Sequence, residues 1–151
     1  MDNPIINYRI AGIELVHKQM VQMPLTANGA STKFLFDITV EVKVNAEHKL
    51  VIPFVKVKIR GGSEEAELAS IGVSCLFEVE GFDKHIVINE QGLYTVPPSL
   101  ENAIRPIAIS TARGVMFSEF SGSYLHNAVL PIVSINPMNI EQVQPKKEDK
   151  V

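Results

Sequence analysis

From Lys33 to Val44 every even position is apolar (Phe34, Phe36, Ile38, Val40, Val42, Val44), while the odd ones include Lys33, Asp37, Thr39, Glu41 and Lys43. A period of two predicts a strand with one face on a core and one in water. The same alternation returns twice. Val55, Val57 and Ile59 interleave with Lys56, Lys58 and Arg60, and Ile71, Val73, Cys75, Phe77 and Val79 interleave with Gly72, Ser74, Glu78 and Glu80. The connectors Asn45-Ala46-Glu47-His48-Lys49 and Gly61-Gly62-Ser63-Glu64-Glu65 are short and turn-rich, which predicts antiparallel neighbours. The basic row Lys56, Lys58, Arg60 is expected to meet Glu41 on one side and Glu78 and Glu80 on the other.

An earlier strand is less regular. Tyr8 and Ile10 are apolar on one parity and Ile13 and Leu15 on the other, so a bulge is expected around Ala11-Gly12, where one extra residue exchanges the faces. A crossover with an apolar stem, Met20-Val21-Gln22-Met23-Pro24-Leu25, and a flexible stretch from Thr26 to Thr32 link it to the second strand.

After Pro97-Pro98 the period changes. Leu100, Ile104, Ile107, Thr111 and Val115 form one helical stripe, and Ile109, Ala112, Met116 and Phe120 a second. Ser99 is the expected N-cap, Glu101 suits the positive end of the helix, and Pro106 predicts a kink or a broken first turn. A sheet covers one side of such a helix, so the other side calls for a second subunit. Strands followed by a helix predict the α+β class: a four-stranded antiparallel sheet, a long helix and a connecting loop. One domain over residues 1–143 is expected, with a charged, disordered tail over residues 144–151.

Composition narrows the function. With 46% hydrophobic residues, 21% charged residues and a net charge of -3, the chain of 151 residues has a core but no basic field for nucleic acid. Met1-Asp2-Asn3-Pro4 begins no secretory signal, and no apolar run is long enough to span a membrane, so a soluble, reducing compartment, the cytoplasm, is expected. Cys75, the single cysteine, falls in a strand pattern as a buried thiol. His17, His48, His85 and His126 lack metal-ligand spacing, and Glu64, Glu65 and Glu67 read as a solvated turn. No nucleophile elbow, P-loop or dinucleotide fingerprint is present, so neither an enzyme nor a cofactor is expected.

Asn102-x-x-x-Pro106-x-Ala108, then Gly122-Ser123-Tyr124, then Leu130-Pro131 follow the helix and helix-connecting loop of one known family. Upstream, a long first connection, a glycine-rich turn before the fourth strand and Leu76-Phe77-Glu78-Val79-Glu80-Gly81-Phe82 are in register with it. On these segments the chain resembles the SecB family of protein-export chaperones over residues 5–140. The resemblance implies a homotetramer, a dimer of dimers, that holds non-native polypeptides in hydrophobic grooves without ATP. It also implies a link to export through the translocase motor or, as the alternative, a specialised adaptor for one partner such as an antitoxin. Groove candidates under it are Met20, Met23 and Leu25 in the crossover, Phe117 and Phe120 on the helix, and Tyr124, Leu125, Val129 and Leu130 in the loop. Two features depart from the family. The helix is about one turn longer before Gly122, and Ile109 stands where an arginine is usual, with Arg113 following later. The acidic positions that meet the translocase motor are not evident either, Ser70 lying near one of them.

Overall fold

The computed structural model describes residues 5–22, 33–61 and 66–132. Met23, Leu25, the stretch from Thr26 to Thr32, most of the turn after Gly61 and the tail from Gln144 lie outside them. The alternating segments become four long strands: β1 (Tyr8–Met20), β2 (Phe34–Asn45), β3 (Leu50–Gly61) and β4 (Ala66–Val79). They form one antiparallel sheet in the order β1-β4-β3-β2. The two short connectors make β2-β3 and β3-β4 neighbours, and the long crossover lets β1 pair with β4. This is the α+β class expected, with the helix following the strands.

Register decides which side chains form the core. Val51, Val55, Val57 and Ile59 of β3 stand opposite Phe77, Val73, Ile71 and Ala69 of β4, and all are buried. On β2 the even residues, Phe34 to Val44, pair with the buried row of β3 and are half-buried against the core. β4, between two neighbours, is buried on both faces. Ser70, Gly72 and Ser74 lie on its outer side, where a Cβ on Gly72 would stand 2.8 Å from the Phe54 ring. That glycine lets an aromatic ring lie flat across the strand.

β1 carries the expected bulge and a second one. Pairing shifts between Ile10 and Gly12 and again between Leu15 and His17, leaving Ala11 and Val16 as the extra residues. Sequence parity shows the first shift only, because after the second the row continues through Lys18 rather than an apolar residue. The charge pairs also differ from expectation. Arg60 holds Asp37 at 2.8 Å, Lys58 meets Glu67 at 3.9 Å and Arg9 takes Glu78 at 2.6 Å. Glu78 lies across from Leu50 on β3 and from Arg9 on β1, which puts it out of reach of the basic row.

Three short elements follow that the strand pattern does not reveal: α1 (Phe82–His85), β5 (Val87–Ile88) and β6 (Tyr94–Thr95). The β5-β6 turn is held by Asn89, whose Oδ1 accepts from the amides of Gln91 and Leu93, and by Gly92 at φ 80. Asn89 and Gly92 were the available signals.

Helix α2 (Pro98–Glu119) lies across β3 and β4. Its N-cap is Pro97, not Ser99, and no side chain caps it; Pro98 occupies the first turn, where a missing N–H costs nothing. Nor is the first turn broken: α2 continues through Pro106. Pro106 and Asn102 are both exposed, so the carbonyl that loses its partner faces water.

Candidate functional site

The two predicted stripes of α2 do not sit on opposite sides. Leu100 and Ile104 from one join Ile109, Ala112, Met116 and Phe120 from the other, with Ala108 and Arg105, on a single buried face. The two flanks of that face differ. On one, Arg105 donates from Nη1 to the Val40 carbonyl of β2 at 3.3 Å, so this flank looks toward β2. On the other, Ile107, Thr111 and Val115 are half-buried, and Thr111 hydrogen-bonds the Cys75 thiol of β4. Cys75 pairs with Ile13 of β1. The second flank therefore looks toward β1.

Pairing with β4 places Ile10, Ile13, Leu15, Lys18 and Met20 of β1 on the helix side of the sheet. α2 meets Lys18 through Glu119 and leaves the four apolar ones uncovered. Ile13 is 50% exposed, and Ile10, Leu15 and Met20 are exposed too. The bulge residue Val16 and the following Val21 add to the same exposed stretch of chain. An apolar shelf results, with the β1 row on one side, the Ile107-Thr111-Val115 flank on the other and the buried side chains of β4 beneath. β1 is also an edge strand, so its outer backbone groups have no strand partner in the sheet.

The loop after α2 closes one end. Tyr124 donates its hydroxyl to the Val21 carbonyl at 2.7 Å, and desolvation raises its pKa. Ser123 accepts from the Leu125 amide and donates to the Phe120 carbonyl, folding the chain back after Gly122 at φ 82. Arg113 then fixes the returning chain: Nε donates to the Leu130 carbonyl at 2.7 Å and Nη2 to the Pro131 carbonyl at 2.8 Å.

Of the groove candidates, Met20 is exposed in the shelf and Tyr124 half-buried at its end. Phe120, Leu125 and Leu130 lie within the core; they anchor the loop and offer no surface to a partner. Phe117 is 56% exposed but shares the outer face of α2 with Pro106 and Ser110, away from the sheet, and Val129 is exposed on the loop. All three are apolar and stand close to the loop in sequence, and periodicity cannot separate an anchor from a lining residue. Ile10, Ile13 and Leu15 were missed as lining residues, although their change of parity around a bulge was the signal.

Arg105, 3% exposed, was also missed. It pairs with Glu101 at 3.1 Å across one turn, a spacing visible in sequence, while its Nε has no partner among the described residues. Among those residues no cluster of His, Cys, Asp and Glu could hold a metal, and no helix is long and apolar enough to cross a membrane.

No family model and no curated protein sequence matches the chain. Among solved structures, the fold is shared with the Mycobacterium tuberculosis SecB-like chaperone Rv1957, solved in complex with a ChAD peptide from the HigA1 antitoxin Rv1956. The two superpose with a TM-score of 0.53 at 12% identity, over 85% of this chain and 88% of that one. The chain thus has the SecB-like fold, four antiparallel strands and a long helix.

Proposed function

We propose that this chain is a SecB-like chaperone that holds unfolded or nascent polypeptide without ATP, in the cytoplasm, as a homotetramer. The observation that carries the reading is the apolar shelf between β1 and α2. Its residues are aliphatic and adaptable, suited to many sequences, and it adjoins an edge strand able to pair with an extended chain. Nothing in such binding needs a nucleotide, a metal or a cofactor. The structural neighbour's bound peptide supports a polypeptide as the partner.

Protein export is the first pathway to consider. A second reading, an adaptor for a single partner such as an antitoxin, is favoured by two observations. The neighbour's partner is an antitoxin peptide, and on the outer sheet face Asp37, Glu67 and Glu78 are already engaged by Arg60, Lys58 and Arg9. Those three carboxylates are therefore less available to a basic partner. In the test, aggregation of a denatured model enzyme is followed by light scattering without nucleotide. Suppression at stoichiometric amounts is expected, and unchanged aggregation at excess sinks the chaperone reading. Capture from the native host then separates the two, since many unrelated precursors indicate export and one dominant partner indicates an adaptor.

A further inference from the structure

Backbone pairing fixes which groups of β2 are left at its edge. The Val21 amide donates to the Leu68 carbonyl and the Glu80 amide to the Asn7 carbonyl, both at 2.9 Å, so the even-numbered residues of β4 turn their backbone groups toward β1. Its odd-numbered residues therefore bond β3, through Val55, Val57 and Ile59. The even-numbered residues of β3 are left for β2, where they meet Leu35, Asp37, Thr39 and Glu41. Along β2 the amides and carbonyls of the even-numbered residues, Phe34 to Val44, consequently point out from the edge.

That edge suits a copy of itself. β2 pairs with β3 over its whole length without a bulge, whereas β1 carries two, and a long regular edge invites pairing with another chain. A second β2 fits antiparallel about a two-fold axis through Val40. In that register Lys43 of one copy stands opposite Asp37 of the other, Glu41 stands opposite Thr39, and no like charges meet. Moving the centre by one residue sets Asp37 against Glu41, or Glu41 against its own copy. The two Val40 residues would exchange amide and carbonyl at the centre of the favoured register.

Arg105 occupies that centre. Nη1 donates to the Val40 carbonyl at 3.3 Å and Nη2 to Glu101 at 3.1 Å. The side chain is 3% exposed, and its Nε has no partner among the described residues. Stability does not account for a guanidinium here, because a buried ion pair with an unsatisfied donor is commonly no better than an apolar side chain of similar size. Its hold on the strand edge does.

We propose that Arg105 closes β2: by holding the Val40 carbonyl it prevents this strand from adding β2 of a second copy, and so directs any assembly through strand pairing away from this edge. The inference rests on the sheet alone and is independent of the polypeptide-holding reading.

The test measures residue-resolved amide exchange and light-scattering mass for the wild type, R105M and R105M/V42P from about 10 to about 500 μM. In the wild type the amides of Ile38, Val40 and Val42 should exchange fast at every concentration, between slow neighbours at Asp37, Thr39 and Glu41. R105M keeps the apolar bulk of the stem and opens the Val40 carbonyl. Its three even-numbered amides should slow as concentration rises, while the mass grows to at least about twice that of the wild type. V42P removes an outward amide without touching the β2-β3 ladder, and should return R105M to the wild-type mass. Slow even-numbered amides in the wild type would overturn the proposal without recourse to any variant. So would a folded R105M with wild-type mass and exchange, or a gain in mass that V42P fails to reverse.

Discussion

Cys75 is held between two elements, in β4 beneath the shelf and hydrogen-bonded to Thr111 of α2. Burial raises its pKa above the ordinary 9.0, and the Thr111 bond lowers it by a smaller amount. The sign of the consequence follows. Below pH 9 the thiol is protonated in folded and unfolded chains alike and stability is unaffected; above it the unfolded thiol ionises first, so stability falls as pH rises, by at most about 1.4 kcal/mol per pH unit. Urea midpoints between about pH 8 and pH 10 should fall more steeply in the wild type than in C75A, and equal slopes would contradict this. A neutral-pH alkylating reagent should label Cys75 only with unfolding. That this cysteine is a packed, inert thiol was legible from its place in an alternating strand. Its threonine partner was not, because pairing across elements depends on how the helix lies over the sheet.

At the scale of elements, the loop after α2 depends on that helix through Arg113. Two charge-assisted hydrogen bonds to the Leu130 and Pro131 carbonyls draw the chain back along the helix, while Leu125, Ala128 and Leu130 enter the core. R113A should therefore cost about 1–3 kcal/mol in urea unfolding and raise hydrogen exchange over residues 125–131. R113K should recover only part of the loss, since one ammonium cannot reproduce the guanidinium fork. An unchanged exchange pattern would show that the apolar anchors suffice alone. The four strands and the helix were legible because each has a long, single-period pattern. The β5-β6 hairpin was not, since Val87-Ile88 and Tyr94-Thr95 are too short to show alternation. The helix stripes misled for a different reason. A face that meets a broad sheet takes in more than half a stripe from each side, so two apparent faces merged into one, leaving the Ile107-Thr111-Val115 flank partly uncovered.

At the scale of the whole molecule, the β1 edge and that flank need cover. A homotetramer should appear in multi-angle light scattering at about four times the 16.7 kDa chain mass. V115E should lower that mass by placing a charge on the flank, without unfolding a residue that is only half-buried. A wild-type monomer at micromolar concentration would refute the assembly and leave the flank to the client alone. The paired bulges of β1 bear on how such a surface can change over generations. The segment from Gly12 to Leu15 is a short cassette set out of phase with the strand on either side, and each bulge residue is the hinge of one phase change. Loss of Val16 would remove the second bulge and leave Lys18 and Met20 on the helix side, opposite Ile71 and Ala69, and loss of Ala11 would likewise keep Ile13 and Leu15 opposite Cys75 and Val73, whereas a residue lost inside the cassette would turn part of the row to the opposite side. Lineages carrying this strand should therefore lose residues singly at Ala11 or Val16 and not between them.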